Sequence, residues 1–226
     1  MKAFLFDMDG VLIDVSQSYR KTIQKVIEFF LNIKMKNNQI QEYKNRGGFN
    51  NDWDLTYKIL IDNGFSQNIN SVIEIFQKYY LGNSYNGLIK NEKWLLNRDI
   101  LIEINSSIHM GIITGRPKKE ALYSLNRFQM EQFFSALITM DDLPKEKSKP
   151  DPMGIKKVLL QLQIQAAQAF YFGDSIDDIS AALNAGVIPI GIIPPGVERR
   201  EHKHLLKSHG AQLVLNNINE IKELVK

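Results

Sequence analysis

Short unbroken apolar runs alternate along this chain with stretches in which apolar residues recur every three or four positions. The runs with the length and continuity of buried strands are Ala3–Phe6, Gly111–Ile113, Ala136–Ile138, Ala169–Phe172 and Val187–Ile190. A strand that is apolar on both faces belongs in a sheet covered on both sides. Helical patterns separate most of these runs. Pro152–Leu162 puts Ile155, Val158, Leu159 and Leu162 on one face, and Ser175–Asn184 ends at Gly186, a residue suited to closing a helix. A last strand near Gln212–Leu215 and a helix over Ile218–Val225 complete the pattern. The fold class is therefore α/β, a Rossmann-like parallel sheet sandwiched by helices.

One region breaks the alternation. Between residues 16 and 86 no strand-like run occurs. Tyr19, Ile23, Val26, Ile27, Phe30 and Leu31 form one apolar stripe at helical spacing, and further helices are expected over 52–63 and 70–81. This predicts an inserted all-helical domain over 16–86, with the α/β core built from 1–15 and 87–226. The stretch "NGLIKNEKWL" (86–95) carries the chain back, and Asp14 is expected to cap the first inserted helix or to mark a hinge.

Composition changes this picture little. Among 226 residues, 44% are hydrophobic and 23% charged, enough to fill a core. The 28 basic and 25 acidic residues leave +3, too small and too scattered a surplus to imply nucleic acid. The densest basic run, "KEKSK" (145–149), reads as a solvated loop apart from Lys149. With no cysteine, disulfides and thiolate metal sites are excluded. The first apolar run is too short for a signal peptide, and no stretch approaches the about 20 apolar residues of a membrane span. A cytoplasmic protein with no membrane partner is expected.

Candidate chemistry changes it more. In an open parallel sheet, ligands bind beyond the carboxyl ends of the strands. Asp7 and Asp9 follow the first apolar run, Thr114, Gly115 and Arg116 the second, and Asp174, Asp177 and Asp178 the fourth, while Lys149 lies in the loop after the third. Strand–loop–helix geometry gathers them at one edge. Like carboxylates about 4 Å apart repel by roughly 4 kcal/mol at an effective dielectric of 20, so the cluster calls for a cation. Oxygen ligands without His or Cys point to Mg²⁺. Asp7 and Asp174 are the expected side-chain ligands, the Asp9 backbone carbonyl a third, and Asp178 the holder of a metal-bound water.

The remaining groups suit a phosphoryl anion. Thr114 offers a hydroxyl, Gly115 an unobstructed N–H, Lys149 a fixed positive charge, and Pro117 a start for a helix whose N-terminus faces the anion. One carboxylate of the first pair then serves as nucleophile and its neighbour as acid and base.

"FDMDGVL", "IITGR", "KPDP" and "FGDSIDD", in that order, resemble the four motifs of the haloacid dehalogenase-like superfamily, phosphatase branch. The resemblance spans the whole chain, because the helical insert sits where that family places its small cap domain. It implies that Asp7 is the nucleophile and Asp9 the general acid/base, that Thr114 and Lys149 hold the phosphate, and that Asp174 binds Mg²⁺ with Asp178 behind it. The second aspartate of the pair, absent from true dehalogenases, implies phosphate esters rather than carbon–halogen bonds. "GGFNNDWDLTYKIL", "ITGRP" and "IPPG" further resemble a subgroup of these phosphatases, some fused to a histidine-biosynthesis dehydratase, which implies histidinol phosphate as one candidate substrate beside phosphoglycolate and sugar phosphates. Arg116 departs from the broader family, most of which carries a smaller residue there; it either touches the substrate or lies at the surface.

The same resemblance places a substrate-selecting loop in the insert, where Arg46, Gly47, Gly48 and Asn51 are the candidates. Asp177 and Ser175 are read as capping the following helix, Trp53 and Trp94 as packing residues, and His202, His204 and His209 as surface. The leading function is a Mg²⁺-dependent phosphatase of a small phosphorylated metabolite. The alternatives are a phosphosugar mutase using the same aspartyl-phosphate and a non-catalytic phosphate-binding protein. A signalling receiver fits poorly, being about half as long and without an insert.

Overall fold

The computed structural model describes residues 2–224 except Asn50 and Gln67. The chain folds into two compact units, one of Met1–Ile13 and Trp94–Lys226, the other of Asp14–Lys93. The expected boundaries lay at 15/16 and 86/87; as folded, the helical unit begins two residues earlier and runs on through Lys93.

The strands in chain order are β1 (Lys2–Phe6), β2 (Ile13–Asp14), β3 (Lys93–Trp94), β4 (Ile108–Ile113), β5 (Ala136–Ile138), β6 (Ala169–Gly173), β7 (Ile188–Ile192) and β8 (Leu213–Leu215). Six of them form one sheet in the order β5-β4-β1-β6-β7-β8, with every pairing parallel. The α/β expectation holds. β1 is central, with Phe6 in register with Ile112 on one side and Phe172 on the other. The chain first builds outward from β1 through β4 and β5, then returns to β6 and builds the opposite way. That reversal opens the crevice in which such sheets bind ligands.

Both faces of the sheet are filled. Leu5, Ile113, Ile138, Val158 and Tyr171 share one buried cluster, and Phe6 stacks on Phe172 with ring centroids 5.0 Å apart. β4 and β7 extend past their apolar runs by more than one residue. β4 starts at Ile108 because exposed His109 interrupts the run without interrupting the backbone ladder, and β7 continues to Ile192.

The helices are α1 (Tyr19–Leu31), α2 (Asn37–Lys44), α3 (Asp52–Asp62), α4 (Ile69–Tyr80), α5 (Arg98–Asn105), α6 (Lys118–Phe128), α7 (Met153–Leu162), α8 (Ile176–Ala185) and α9 (Arg199–Ser208). Gly186 closes α8 at φ 74°. Residues Ile218–Leu224 form a 3₁₀ helix where an α-helix was expected, and Val225 lies outside the described residues. α2 and α5 have no counterpart among the predicted helices. α2 buries only Ile40, too few apolar contacts to leave a stripe in the sequence.

In the helical unit, Tyr19, Ile23, Val26 and Ile27 of α1 are buried, as their spacing predicts, together with Leu55, Ile59, Val72 and Phe76. Buried Glu92 accepts from the Ser18 hydroxyl at 3.1 Å and the Tyr80 hydroxyl at 2.8 Å. Asp14 does not cap α1; its carboxylate accepts the Ser16 N–H at 2.9 Å, and the helix begins after Ser18.

Candidate active site

The site grows from the carboxyl ends of β1, β4 and β6. Asp7 is the first residue past β1, and its N–H still donates to Phe172 O at 2.8 Å. Thr114 is the first past β4 and donates its N–H to Ile138 O at 2.9 Å. Asp174 is the first past β6. The ladder thus fixes these backbones before their side chains do anything.

Close approach of the loops depends on two glycines. A Cβ on Gly10, which sits at φ +78°, would lie 2.3 Å from Asp174 Oδ2. One on Gly173 would lie 2.2 Å from the Asp178 Cβ. No other residue type fits either place without moving a carboxylate.

Asp7, Asp174 and Asp178 each place a carboxylate oxygen within 4.8 Å of the other two. Lys149 reaches in from the loop after β5. Its Nζ donates to Asp7 Oδ1 and to Asp178 Oδ1, both at 2.7 Å. Asp178 is held from every side: Oδ1 also accepts the Tyr171 hydroxyl at 3.0 Å, while Oδ2 accepts the Ser175 hydroxyl at 2.6 Å and the Ser175 N–H at 3.1 Å. Ser175 is the N-cap of α8, and it and Asp178 form a reciprocal capping box. Ser175 therefore caps as expected, whereas Asp177 lies within the first turn and is not the cap.

Burial is the dominant influence on the charges. It raises the Asp7 carboxyl; Lys149 opposes the rise, Asp178 and Asp9 add to it, and the pKa settles at about 7. For Lys149, burial alone would lower the pKa, but Asp178 and Asp7 outweigh it and the ammonium is held well above its ordinary value. Burial and then Asp178 push the Tyr171 hydroxyl up, so it remains a proton donor. Three carboxylates facing one ammonium leave negative charge in excess, and all their donor atoms are hard oxygens. A small divalent cation fits that donor set.

Arg116 is neither at the surface nor loosely placed. Its side chain is 1% exposed, and Nε donates to Asp9 Oδ1 at 2.7 Å with Nη2 on the same oxygen. Nη1 donates to Ser124 Oγ at 3.0 Å, and the backbone N–H donates to Thr114 Oγ1 at 3.2 Å. Pro117 is the N-cap residue of α6 rather than part of its first turn. The first N–H of that helix, from Lys118, donates to Asp141 Oδ2 at 2.8 Å, so this donor is already engaged by a carboxylate.

Sequence reasoning missed His202. It is buried, and its Nε2 lies 2.7 Å from the Asp174 backbone oxygen, fastening the loop that carries that aspartate. Its place four residues before buried Leu206, on the same face of α9, was the available signal. His204 and His209 are exposed as expected. Trp94 packs on Phe128 and Phe134.

In the helical unit, Arg46 is exposed and lies over the Tyr43 ring at 4.3 Å. Gly47 and Gly48 have φ 74° and 80°. Asn51 is the N-cap of α3, accepting the Asp54 N–H at 2.8 Å.

Residues 4–192 match the family described as haloacid dehalogenase-like hydrolase. A protein named imidazoleglycerol-phosphate dehydratase from Phytophthora nicotianae is 34% identical over 203 residues. Those are 86% of this chain and 44% of that protein, so the chain spans less than half the length of this relative. The phosphorylated carbohydrates phosphatase of Thermotoga maritima is 26% identical over 234 residues, 100% of both chains. A phosphoglycolate phosphatase of Vibrio cholerae is 26% identical, covering 85% of this chain and 84% of its own. Among solved structures, a hydrolase from Pseudomonas syringae superposes with TM-score 0.76 at 19% identity, over 99% of this chain and 97% of that one. A phosphonoacetaldehyde hydrolase-like protein from Oleispira antarctica gives 0.79 at 14%, over 99% and 91%. These two likenesses speak to the fold. No described helix is long and apolar enough to cross a membrane.

Proposed function

We propose that this chain, which belongs to the haloacid dehalogenase-like hydrolase family, is a phosphoric monoester hydrolase that cleaves small phosphorylated metabolites through an aspartyl-phosphate on Asp7. One observation carries this reading. Asp7, a buried carboxylate at the end of the central strand, lies 2.7 Å from a buried ammonium and beside two further aspartates. That is a nucleophile with a cation at hand for the group it attacks.

Each residue has a task. Asp7 Oδ attacks phosphorus, the ester P–O bond breaks, and Asp9 passes a proton to the leaving oxygen. Water then attacks the aspartyl-phosphate, Asp9 takes up its proton, and inorganic phosphate leaves. Lys149, the Thr114 hydroxyl and the Gly115 N–H hold the phosphoryl oxygens and receive their growing charge. Mg²⁺ would be held by Asp7, Asp174 and the Asp9 backbone carbonyl with Asp178 behind them, and when bound it neutralises the carboxylates and polarises the phosphoryl group. Asp178, with four donors on it, orients Lys149 and the start of α8.

Selection among esters is assigned to the 44–52 segment, through Arg46, Gly47, Gly48 and Asn51. The relatives suggest the substrate range: phosphorylated carbohydrates, phosphoglycolate and, from the dehydratase likeness, an imidazole-bearing ester such as histidinol phosphate. A panel of these compared by kcat/KM tests the reading. Stoichiometric release of inorganic phosphate, lost on chelation and restored by Mg²⁺, is the expected result. Isomerised sugar phosphate without free phosphate would make the protein a mutase, and full turnover after exhaustive chelation would remove the metal.

A further inference from the structure

One fully enclosed charged side chain beside the site has no task in the reaction above. Arg116 is buried to 1% exposure, while the Asp9 side chain it grips retains 26%. Two of its N–H groups, on Nε and Nη2, converge on a single oxygen of Asp9. The other arm is tied to Ser124, itself 1% exposed, on α6, and the backbone N–H to the Thr114 hydroxyl. A guanidinium fixed at three points is a rigid fork, and a carboxyl with one oxygen pinned has the direction of its other oxygen set as well.

We propose that Arg116 is a positioning residue: anchored on Ser124 and Thr114, it fixes the Asp9 carboxyl in the orientation from which it delivers a proton to the leaving oxygen. The inference rests on the reading of Asp9 as the acid. In that step the bond from phosphorus to the ester oxygen breaks as the bond to Asp7 forms. The electron pair goes to the departing oxygen, and the Asp9 proton follows it, giving a neutral alcohol with no redox change. A 107-residue span of chain separates Arg116 from Asp9, so the pair is a product of the fold and not of local sequence. Lysine cannot reproduce it, since an ammonium lacks the planar fork.

Leaving-group dependence isolates this role. 4-Nitrophenyl phosphate and phenyl phosphate are close in shape, but the phenyl ester releases a more basic oxygen and so relies more on protonation. kcat/KM reports only the steps through departure of that oxygen. In the whole protein with Mg²⁺, Arg116→Lys is expected to lower kcat/KM for phenyl phosphate by at least about tenfold more than for the nitrophenyl ester. Ser124→Ala, a small change that removes only the far anchor, is expected to shift the same ratio a few-fold; it carries the test alone if the lysine variant does not fold.

Equal losses on both esters, concentrated in KM, would make Arg116 a phosphate contact and overturn the proposal. An unchanged ratio would overturn it too. A gain on both esters would show a resting contact that has to break, and the positioning role would again be rejected. Asp9→Asn run alongside separates the two levels. If it steepens the dependence while Arg116→Lys does not, the positioning role fails alone. If it does not, the assignment of Asp9 as acid fails and takes the inference with it.

Discussion

Two sets of polar loops in this protein are built on opposite plans. At the strand ends of the α/β unit, charged groups are buried and bonded to partners far away in sequence: Lys149 to Asp7 across 142 residues, Arg116 to Asp9 across 107. In the helical unit Arg46 is exposed, and the bonds beside it link near neighbours: Lys44 to Asp52 at 2.9 Å, Asn51 to Asp54 at 2.8 Å. A group bonded across the fold cannot change without disturbing several elements, which suits chemistry that has to stay fixed. A locally bonded exposed segment can change side chains at small cost, which suits choosing among substrates.

The comparison can be broken at four points. Asp7→Asn should have the largest effect, a fall in phosphate release of at least about a thousandfold with the fold retained; steady-state turnover near wild type would remove the nucleophile from the strand-end set. Next comes Lys149→Met. It leaves the Asp7 and Asp178 carboxylates buried without their shared cation, at a cost of about 3 kcal/mol of stability measured by urea unfolding, beyond any loss of activity. A near-neutral result would mean the buried network is less tightly coupled than its distances indicate.

Arg46→Ala should reorder kcat/KM across a panel of phosphate esters by about tenfold for the preferred one, roughly 1.4 kcal/mol, with Tm unmoved. An unaltered ranking would place selectivity elsewhere. The smallest effects belong to the helix caps. Ser175→Ala and Asn51→Ala should each cost about 1 kcal/mol in chemical denaturation. Only the first should also lower kcat, because Ser175 holds Asp178, whereas Asn51, in the segment assigned to substrate selection, should act on KM. Equal kcat losses in both would erase the distinction between the two plans.

Much of this was visible in the chain beforehand, for a physical reason. Parallel strands buried on both faces leave uninterrupted apolar runs, and whatever polar residue follows such a run lands at the carboxyl edge, so Asp7, Thr114 and Asp174 could be placed together without coordinates. Arg116 and His202 could not. Strand ends locate a backbone, but the direction a long side chain takes depends on which buried acceptor it finds, here Asp9 Oδ1 and the Asp174 carbonyl oxygen. An arginine next to a proline, or a histidine in "REHKH", looks like surface until the neighbouring loop is known. α2 was missed because Ile40 alone is too little hydrophobic signal, and Glu92 because its partners Ser18 and Tyr80 lie 74 and 12 positions away.

The central position of β1 has a temporal consequence. This strand is synthesised before both of its neighbours in the sheet, β4 and β6, which come from much later in the chain. At about 5–20 residues per second, the 142 positions between Asp7 and Lys149 take on the order of ten seconds to leave the ribosome. Until β4 emerges the nascent strand has no sheet to join, and until Lys149 follows its terminal carboxylate lacks that counterion. Vectorial synthesis therefore delivers the helical unit before the α/β unit can close.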